Sequence, residues 1–356
     1  KMDTEEIVAV LAHEIGHITG QHISRRAEVI DNSKYAVLSS MALGIGAALA
    51  GSGDGAMAAM LGGVHIADRS VFSYSRELES SADQKAFKLL EASGHSAVGM
   101  LKFFEAIQPR GALNYVNQYE LTHPLSRDRI NILKNVIKRS KYPTSQNNDL
   151  LRKKYKRVAV KISAFTKKLA DVDEQDYSKE DKELEYYKRS IKYLREGNKS
   201  EAFNYINKLI MKHADDPFYH ELKAQIFLQH GINVSINESA IAFGKRPEND
   251  LLKLTHAIAI LTEKIDSEEI AEKAAWLLQE ILKKDNYNMV ALYYLSRYYE
   301  HYQMQGHAYL SSAKLAYASG RLMDARKLAN AAKSSLKESS PEWYMADDLL
   351  ILTNPR

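Results

Sequence analysis

The feature that most constrains this chain is a short histidine pattern within an apolar-periodic helix. His13, Glu14 and His17 form the sequence H-E-x-x-H near the start of the chain. Histidines four residues apart lie on one face of an α-helix, so both imidazoles can bind the same metal ion. Glu14 directly follows the first histidine, where it can act as a general base. The pattern predicts a metal-binding helix, and a helix with two surface histidines is the alternative.

The residues around this pattern predict a helix with a defined start and one packed side. Asp3 is a favourable N-cap, and Glu6 three residues later matches a capping box. Glu5 adds a negative charge near the positive end of the helix dipole. We expect an apolar stripe to be buried and to leave the ligands at its edge. The stripe consists of Ile7, Val8, Leu11, Ile15 and Ile18.

A catalytic zinc site needs a third protein ligand, and the sequence offers one on a second helix. The spacing H-E-x-x-H-x-x-G-x-x-H is excluded because Ile23 occupies the last position and His22 lies one residue early. His22 is therefore expected to pack or orient, not to bind metal. Glu79 and Asp83 share a helix face, so one can bind the metal while the other orients a histidine. A solvated acidic face is the alternative for this pair.

Three sequence elements together resemble a known metallopeptidase family. The H-E-x-x-H pattern is followed about sixty residues later by E-x-x-x-D, and then by T-H-P-x-x-x-x-R-I at residues 122–130. This set is similar to the gluzincin metallopeptidases that include HtpX, Oma and the CAAX prenyl endopeptidases, and it covers roughly residues 3–140. A TPR-like tail narrows the resemblance, by architecture alone, to the BepA-like periplasmic members.

The resemblance implies a role for each residue that matches its first two elements. By this carry-over, His13, His17 and Glu79 bind one Zn²⁺ ion per chain. Glu14 is the implied general base of peptide-bond hydrolysis. Asp83 is implied to orient a zinc ligand without binding the ion itself. The implied enzyme is a zinc metalloendopeptidase that acts on protein substrates.

The third element carries two further candidates. The resemblance implies that Arg129 lies near the cleft, where it stabilises the substrate or the oxyanion of the transition state. His123 stays open between three roles, namely stabilising the transition state, binding zinc as a fourth ligand, or anchoring its loop. Four protein ligands are typical of structural zinc, so a fourth ligand would make the enzyme latent. Residues 109–122 before it are expected to form a loop that acts as a gate.

The composition describes an ordinary globular protein. The chain has 356 residues, of which 45% are hydrophobic and 26% charged, which suggests two or three domains. A formal net charge of +4 is small for this length and gives no case for nucleic-acid binding. The absence of cysteine excludes disulfides and thiolate metal ligands. Location in the periplasm of a Gram-negative bacterium is implied by the resemblance alone.

The start of the chain and residues 36–67 carry two expectations about what surrounds the zinc helix. Zincin folds generally place an edge strand before that helix, but only two residues precede Asp3, so we expect a fragment without its signal peptide and upstream strands. Residues 36–67 contain two apolar limbs of about 12–15 residues, too short to span a bilayer. We expect them to form a buried helical hairpin, with peripheral membrane contact as the alternative.

The sequence predicts a mainly α-helical fold with a zincin-type domain followed by an α-solenoid. Gly197 and Gly231 are 34 residues apart, which is the TPR period. Stacked helix pairs form a concave surface that suits protein partners. The predicted parts are a metallopeptidase domain at 1–141, a linker at 142–150, a basic connecting helix at 151–180, and a TPR-like domain with a C-terminal capping helix at 181–356.

Tyrosines are concentrated in the second half of this tail, at positions 293, 294, 298, 299 and 302. Tyrosine favours both protein interfaces and TPR cores, so the sequence leaves open whether these residues line the groove or fill the core.

Together these features predict a zinc endopeptidase whose TPR-like domain binds unfolded or misassembled protein substrates or a partner protein. By resemblance, it would serve quality control or assembly of outer-membrane proteins. The alternative is a TPR scaffold or chaperone whose zinc site is latent or structural, in which Glu14 would be dispensable.

Overall fold

The structure is a computed structural model that describes residues 3–22, 76–107, 123, 126–144, 148–174, 177, 181–231 and 234–354. Within these ranges all regular structure is α-helical, with no strand, which confirms the mainly α-helical class. The predicted hairpin at 36–67 and the predicted loop at 109–122 lie outside the described residues. The chain divides into two compact units, Lys1–Tyr155 and Lys156–Arg356. The domain and linker boundaries expected from the sequence stay a prediction.

Among the described residues of the first unit, four helices pack around one hydrophobic core. Helix α1 spans Thr4–Thr19, α2 is described over residues 76–92, α3 spans Val98–Ile107 and α4 spans Arg127–Arg139. The fully or nearly buried core residues are Ala9, Ala12, Ala86, Leu90, Ala97, Met100, Phe103, Phe104, Ile130 and Leu133. They come from all four helices, so this core sets the positions of α1 and α2 relative to each other.

Helix α1 begins as predicted. The Asp3 side chain accepts hydrogen bonds from the backbone N–H groups of Glu5 and Glu6, and the Glu6 side chain accepts one from the Asp3 backbone. This is a complete capping box, and it satisfies donors that the first helical turn leaves unpaired.

The packed face of α1 differs from the predicted one. Three of the five members of the apolar stripe are exposed, to 56% for Leu11, 45% for Ile15 and 68% for Ile18. The buried residues of the helix are Ala9, Ala12, His13 and Gly16. The burial prediction was therefore wrong for Leu11, Ile15 and Ile18, whereas Ile7 and Val8 are partly buried and Val8 packs against the core.

Two glycines show how closely the backbones approach. A Cβ atom on Gly16 would lie 2.6 Å from the carbonyl oxygen of Ala82 in α2. A Cβ atom on Gly99 in α3 would lie 2.2 Å from the carbonyl oxygen of Glu5 in α1. Any side chain at either position would force two backbones apart, so these contacts require glycine.

The second unit is a succession of helices in a helical-repeat-like arrangement, in which neighbours along the chain pack on each other. Helix α5 (Asp149–Thr166) contains the boundary between the units, and α6 spans Leu169–Asp173. The remaining helices are α7 (Lys182–Arg195), α8 (Lys199–Lys212), α9 (Pro217–Gln229), α10 (Ser235–Lys245), α11 (Asp250–Glu263), α12 (Glu268–Lys284), α13 (Met289–His301), α14 (Gln305–Ala318), α15 (Leu322–Ser335) and α16 (Pro341–Leu352).

Repetition is visible in the turns of this unit. Gly197 lies between α7 and α8, and Gly231 lies between α9 and α10. Their φ angles are 73° and 62°. Residues with side chains rarely adopt this left-handed conformation, so the 34-residue glycine spacing marks equivalent turns. Three hydrophobic clusters follow one another along the unit, each built from helices close in sequence. That is how repeat proteins distribute their core.

The basic segment predicted as one connecting helix is two helices. Helix α5 ends at Thr166, and α6 begins at Leu169. Two basic residues of α5 pair with carboxylates at the start of α9 and within it. Arg157 contacts Asp216, the N-cap of α9, and Lys161 Nζ lies 2.9 Å from Glu221 Oε2. The basic residues of α5 are therefore only partly a solvated face.

Most of the tyrosines around α13 fill the core of the second unit. Tyr298 and Tyr299 are buried, and Tyr294 and Tyr302 pack against the same cluster. The Tyr302 hydroxyl donates a hydrogen bond of 2.6 Å to the backbone carbonyl of Ile265. Tyr293, at 44% exposure, is the member of this group that is free to contribute to a surface.

None of the helices in the described ranges combines the length and the hydropathy that a bilayer span requires.

A partly buried histidine in the second unit predicts a pH-dependent stability. Burial lowers the pKa of His256, whose Nδ1 lies 3.0 Å from the Ser239 hydroxyl and whose ring stacks on Phe243. Below about pH 6.5 the unfolded chain binds a proton at this ring that the folded chain does not, so the free energy of unfolding should decrease as the pH falls. We expect His256→Gln to flatten this decrease between pH 7 and 5 in urea titrations. An unchanged pH dependence would contradict the assignment.

Candidate metal centre

Two helices and one residue before α4 bring four metal-binding side chains together. Helix α1 carries His13 and His17, α2 carries Glu79, and His123 lies shortly before α4. One ligand atom from each of them lies within 4.8 Å of all the others. We call these residues the four-residue cluster. Sequence reasoning predicted every member, and the fold brings them to one place.

The distances within the cluster fit a tetrahedral metal ion. The Nε2 atoms of His13 and His17 lie 3.0 Å apart. Glu79 places Oε2 at 3.3 Å from Nε2 of His13, and Oε1 at 3.3 Å from Nε2 of His17. Metal–ligand bonds of about 2.0–2.1 Å in tetrahedral zinc sites imply ligand–ligand distances of about 3.3 Å. Two imidazoles and a carboxylate at this spacing are a suitable donor set for such an ion.

Burial and charge make this cluster suitable for a cation. Burial alone would raise the pKa of Glu79, but contacts with His123, His13 and His17 and the charge of Arg129 outweigh it and lower the pKa well below its ordinary value. Glu79 is therefore an ionised carboxylate that is only 2% exposed. A buried negative charge is costly unless it is paired, so a cation beside it is favourable.

His13 is held by carboxylates on both of its ring nitrogens. Its Nε2 faces Glu79, and its Nδ1 lies 2.9 Å from Oδ1 of Asp83. Burial alone would lower the pKa of this ring, but contacts with Asp83 and Glu79 outweigh it and raise the pKa to about 9. A carboxylate on Nδ1 fixes the orientation of a histidine that binds metal through Nε2. Asp83 thus lies in the orienting position that the sequence suggested.

His17 has a comparable support that the sequence only hinted at. His22 is 3% exposed, and its Nδ1 lies 3.0 Å from Nδ1 of His17. A Cβ atom on Gly20 would lie 2.1 Å from the His22 ring, so the absence of a side chain at position 20 makes room for it. The signal in the sequence was a histidine five residues after His17, and only the fold shows which ring it supports.

The structure places Arg129 beside the four-residue cluster, and its implied contact with the substrate stays a prediction. Its side chain is 5% exposed. Its Nε and Nη2 atoms lie 2.7 Å and 2.8 Å from the two carboxylate oxygens of Asp83, and Nη1 lies 3.0 Å from Oε2 of Glu79. The guanidinium group also lies 4.8 Å from the centre of the Phe104 ring. It is therefore enclosed behind the cluster.

Within the cluster, His123 lies between Glu79 and Glu14. Nδ1 of His123 lies 3.1 Å from Oε1 of Glu79, and its Nε2 lies 3.7 Å from Oε1 of Glu14. The Glu14 side chain is 41% exposed, whereas the Glu79 side chain is 3% exposed. Glu14 is thus the carboxylate that solvent reaches, as a base that acts on water requires.

Comparison with known protein families indicates the class of domain that contains this site. Residues 1–137 match Peptidase family M48. The match spans α1 to α4 and includes the whole four-residue cluster together with Glu14, Asp83 and Arg129. This part of the chain is therefore a metallopeptidase domain of the M48 type.

Three relatives that match this chain are named as the same kind of protease. The chain is 29% identical to the beta-barrel assembly-enhancing protease of Yersinia pestis over 154 residues, which are 41% of this chain and 30% of the relative. The protein of the same name from Escherichia coli (strain K12) is 29% identical over 127 residues, 35% of this chain and 26% of the relative. A putative one from Vibrio cholerae is 30% identical over 130 residues, again 35% and 26%. The chain thus spans less than a third of the length of these relatives.

Proposed function

We propose that this chain is a zinc endopeptidase in which His13, His17 and Glu79 hold one zinc ion. The observation that carries the proposal is the meeting of these ligands, at tetrahedral spacing, inside a domain that matches a metallopeptidase family. A zinc ion bound there would polarise the scissile carbonyl and lower the pKa of water. Glu14 accepts the proton of the attacking water and returns it to the leaving amine.

His123 is proposed to keep this enzyme latent. It belongs to the group of four that can reach one ion, and four protein ligands leave no position for water or substrate. Peptide cleavage then requires that His123 leaves the ion. The other role left open by the sequence, support of the transition state, predicts the opposite effect of removing this side chain.

Replacement of His123 separates these two roles. We expect His123→Ala to keep its zinc and to cleave an unfolded substrate such as casein faster than wild type. The gain is about tenfold if the open state is about a tenth of the population. Initial rates and zinc content of the purified proteins would be measured together. Slower cleavage at full zinc content would assign His123 to the transition state.

The proposed substrates are unfolded or misassembled outer-membrane proteins in the periplasm of a Gram-negative bacterium. The names of the relatives support this, since they are β-barrel assembly-enhancing proteases. Unpaired strands of an unassembled barrel expose backbone groups that a protease can pair with. The second unit, proposed to be a TPR-like solenoid, binds such a substrate or a partner protein.

Cleavage specificity tests this proposal directly. Zinc-loaded wild type and His123→Ala would be incubated with one β-barrel protein, either unfolded in urea and diluted or folded in detergent. We expect cleavage of the unfolded form only. If both enzymes bound one zinc and left the unfolded substrate intact in all conditions, the endopeptidase proposal would be abandoned.

A TPR scaffold or chaperone with a latent site is the second candidate, and the fourth potential ligand His123 favours it. It predicts that Glu14→Gln supports outer-membrane protein assembly in cells as well as wild type. The endopeptidase proposal predicts loss of that activity.

A further inference from the structure

Arg129 makes contacts that do not suit a residue in touch with substrate. Its backbone N–H donates to the hydroxyl of Ser126, the N-cap of α4, so its position in the first turn of that helix is fixed. Its guanidinium group is buried and contacts Asp83 through two nitrogens and Glu79 through the third. These are parallel and charge-assisted contacts, the strongest type that arginine makes.

From this geometry we propose that Arg129 is a positioning residue, which clamps both carboxylates of α2 and acts on the metal only through them. One arm runs from Arg129 to Glu79, a proposed ligand. The other runs from Arg129 through Asp83 to Nδ1 of His13, a second proposed ligand. The inference rests on the proposed zinc site and deepens it.

The need for such a clamp follows from the charges on α2. Glu79 and Asp83 are one helical turn apart, and both are buried, at 2% and 5% exposure. Two buried carboxylates repel each other, and each would turn towards water if it could. The planar fork of arginine can hold both at once, whereas the lysine ammonium is a single point charge. Arg129 thus keeps one carboxylate directed at the ion and the other at His13.

Metal affinity tests this role without depending on catalysis. We would measure zinc affinity by competition with a chromophoric chelator for wild type, Arg129→Met, Asp83→Asn and the double variant. We expect each single replacement to weaken binding about 10- to 100-fold, the range found when supporting residues of metal ligands are lost. Because Arg129 and Asp83 share the arm to His13, their effects should not add, and the double variant should bind zinc little more weakly than Arg129→Met alone.

Arg129→Lys keeps the positive charge but lacks the planar fork of arginine. It can be measured in place of Arg129→Met if that variant fails to fold. We expect this variant to recover only part of the affinity. The matched control is Arg157→Met, which removes a partly buried arginine from Asp216 in the second unit. It should leave zinc affinity unchanged, and thermal unfolding would confirm that each variant is folded.

The outcomes separate this inference from the proposed function. If Arg129→Met and Arg129→Lys keep wild-type zinc affinity but lower kcat, Arg129 contacts the transition state and the inference is overturned. If the variants lose zinc affinity in the expected non-additive way but wild type cleaves no substrate, the endopeptidase proposal fails and the positioning role of Arg129 stands. If wild type binds no zinc, both fail together.

Discussion

Replacing Glu14 by glutamine should abolish peptide-bond hydrolysis and leave zinc binding intact. Glutamine has nearly the same shape as glutamate, but it cannot accept the proton of the attacking water. General acid–base catalysis contributes about 10²- to 10⁴-fold to a rate, so the loss should be of this size or larger. Glu14 is outside the group of four that can reach one ion, so the zinc content should stay at one per chain. Casein cleavage and zinc content of the same preparation would be compared, preferably in the His123→Ala background, where the rate is highest.

Glu77→Gln is the matched control for this experiment. Glu77 is an exposed glutamate on α2, the helix that carries Glu79. The same chemical change there should alter neither the rate nor the zinc content. Full cleavage activity of Glu14→Gln would exclude Glu14 as the general base.

Replacing Gly16 by alanine should disrupt the metal centre from outside its ligand set. The new Cβ would lie 2.6 Å from the carbonyl oxygen of Ala82 and 3.1 Å from its Cα, and these are backbone atoms that no side-chain rotation can move away. Helices α1 and α2 must therefore separate. Overpacking of this kind costs about 1–3 kcal/mol of stability. The same separation moves His13 and His17 away from Glu79, so zinc affinity should fall by at least tenfold.

The control for this variant is Gly244→Ala in α10. A Cβ on Gly244 would meet nothing within 4 Å, and its backbone is helical. Alanine there should leave zinc affinity unchanged and raise stability by about 0.4–1 kcal/mol, since it reduces the entropy of the unfolded chain. Chelator competition and urea unfolding measure both effects. Wild-type zinc affinity of Gly16→Ala would show that the helices can approach without glycine.

The spacing of residues along the chain predicted much of the candidate site, down to individual residues. His13 and His17 share a face because four residues are about one helical turn, and the same rule pairs Glu79 with Asp83. The capping box at Asp3 also follows from neighbouring residues alone. The equivalent turns at Gly197 and Gly231 follow from the repeat length. The helix faces and the capping box depend on atoms within a few residues of one another, and the turns depend on a repeated local pattern, so a sequence pattern can predict both.

Which face of a helix is buried, and what its side chains meet, was decided by the tertiary structure. Hydrophobicity selected Leu11, Ile15 and Ile18 as the packed side of α1, whereas the helix packs through Ala12 and Gly16 because α2 must come close enough for Glu79 to reach the histidines. Most tyrosines around α13 went to the core for a similar reason, since neighbouring helices enclose them.

The sequence by itself determined the ligand types, their helical spacing, the start of α1 and the helical class. It could not determine where Arg129 and His22 point. The direction of Arg129 depends on a helix distant in the chain, and that of His22 depends on how the backbone folds back after α1. Arg129 meets Asp83 across 46 residues of sequence, and that contact exists only once α2 and α4 pack against the same core. Contacts between distant residues are set by how whole helices pack, and no spacing rule along the chain encodes them.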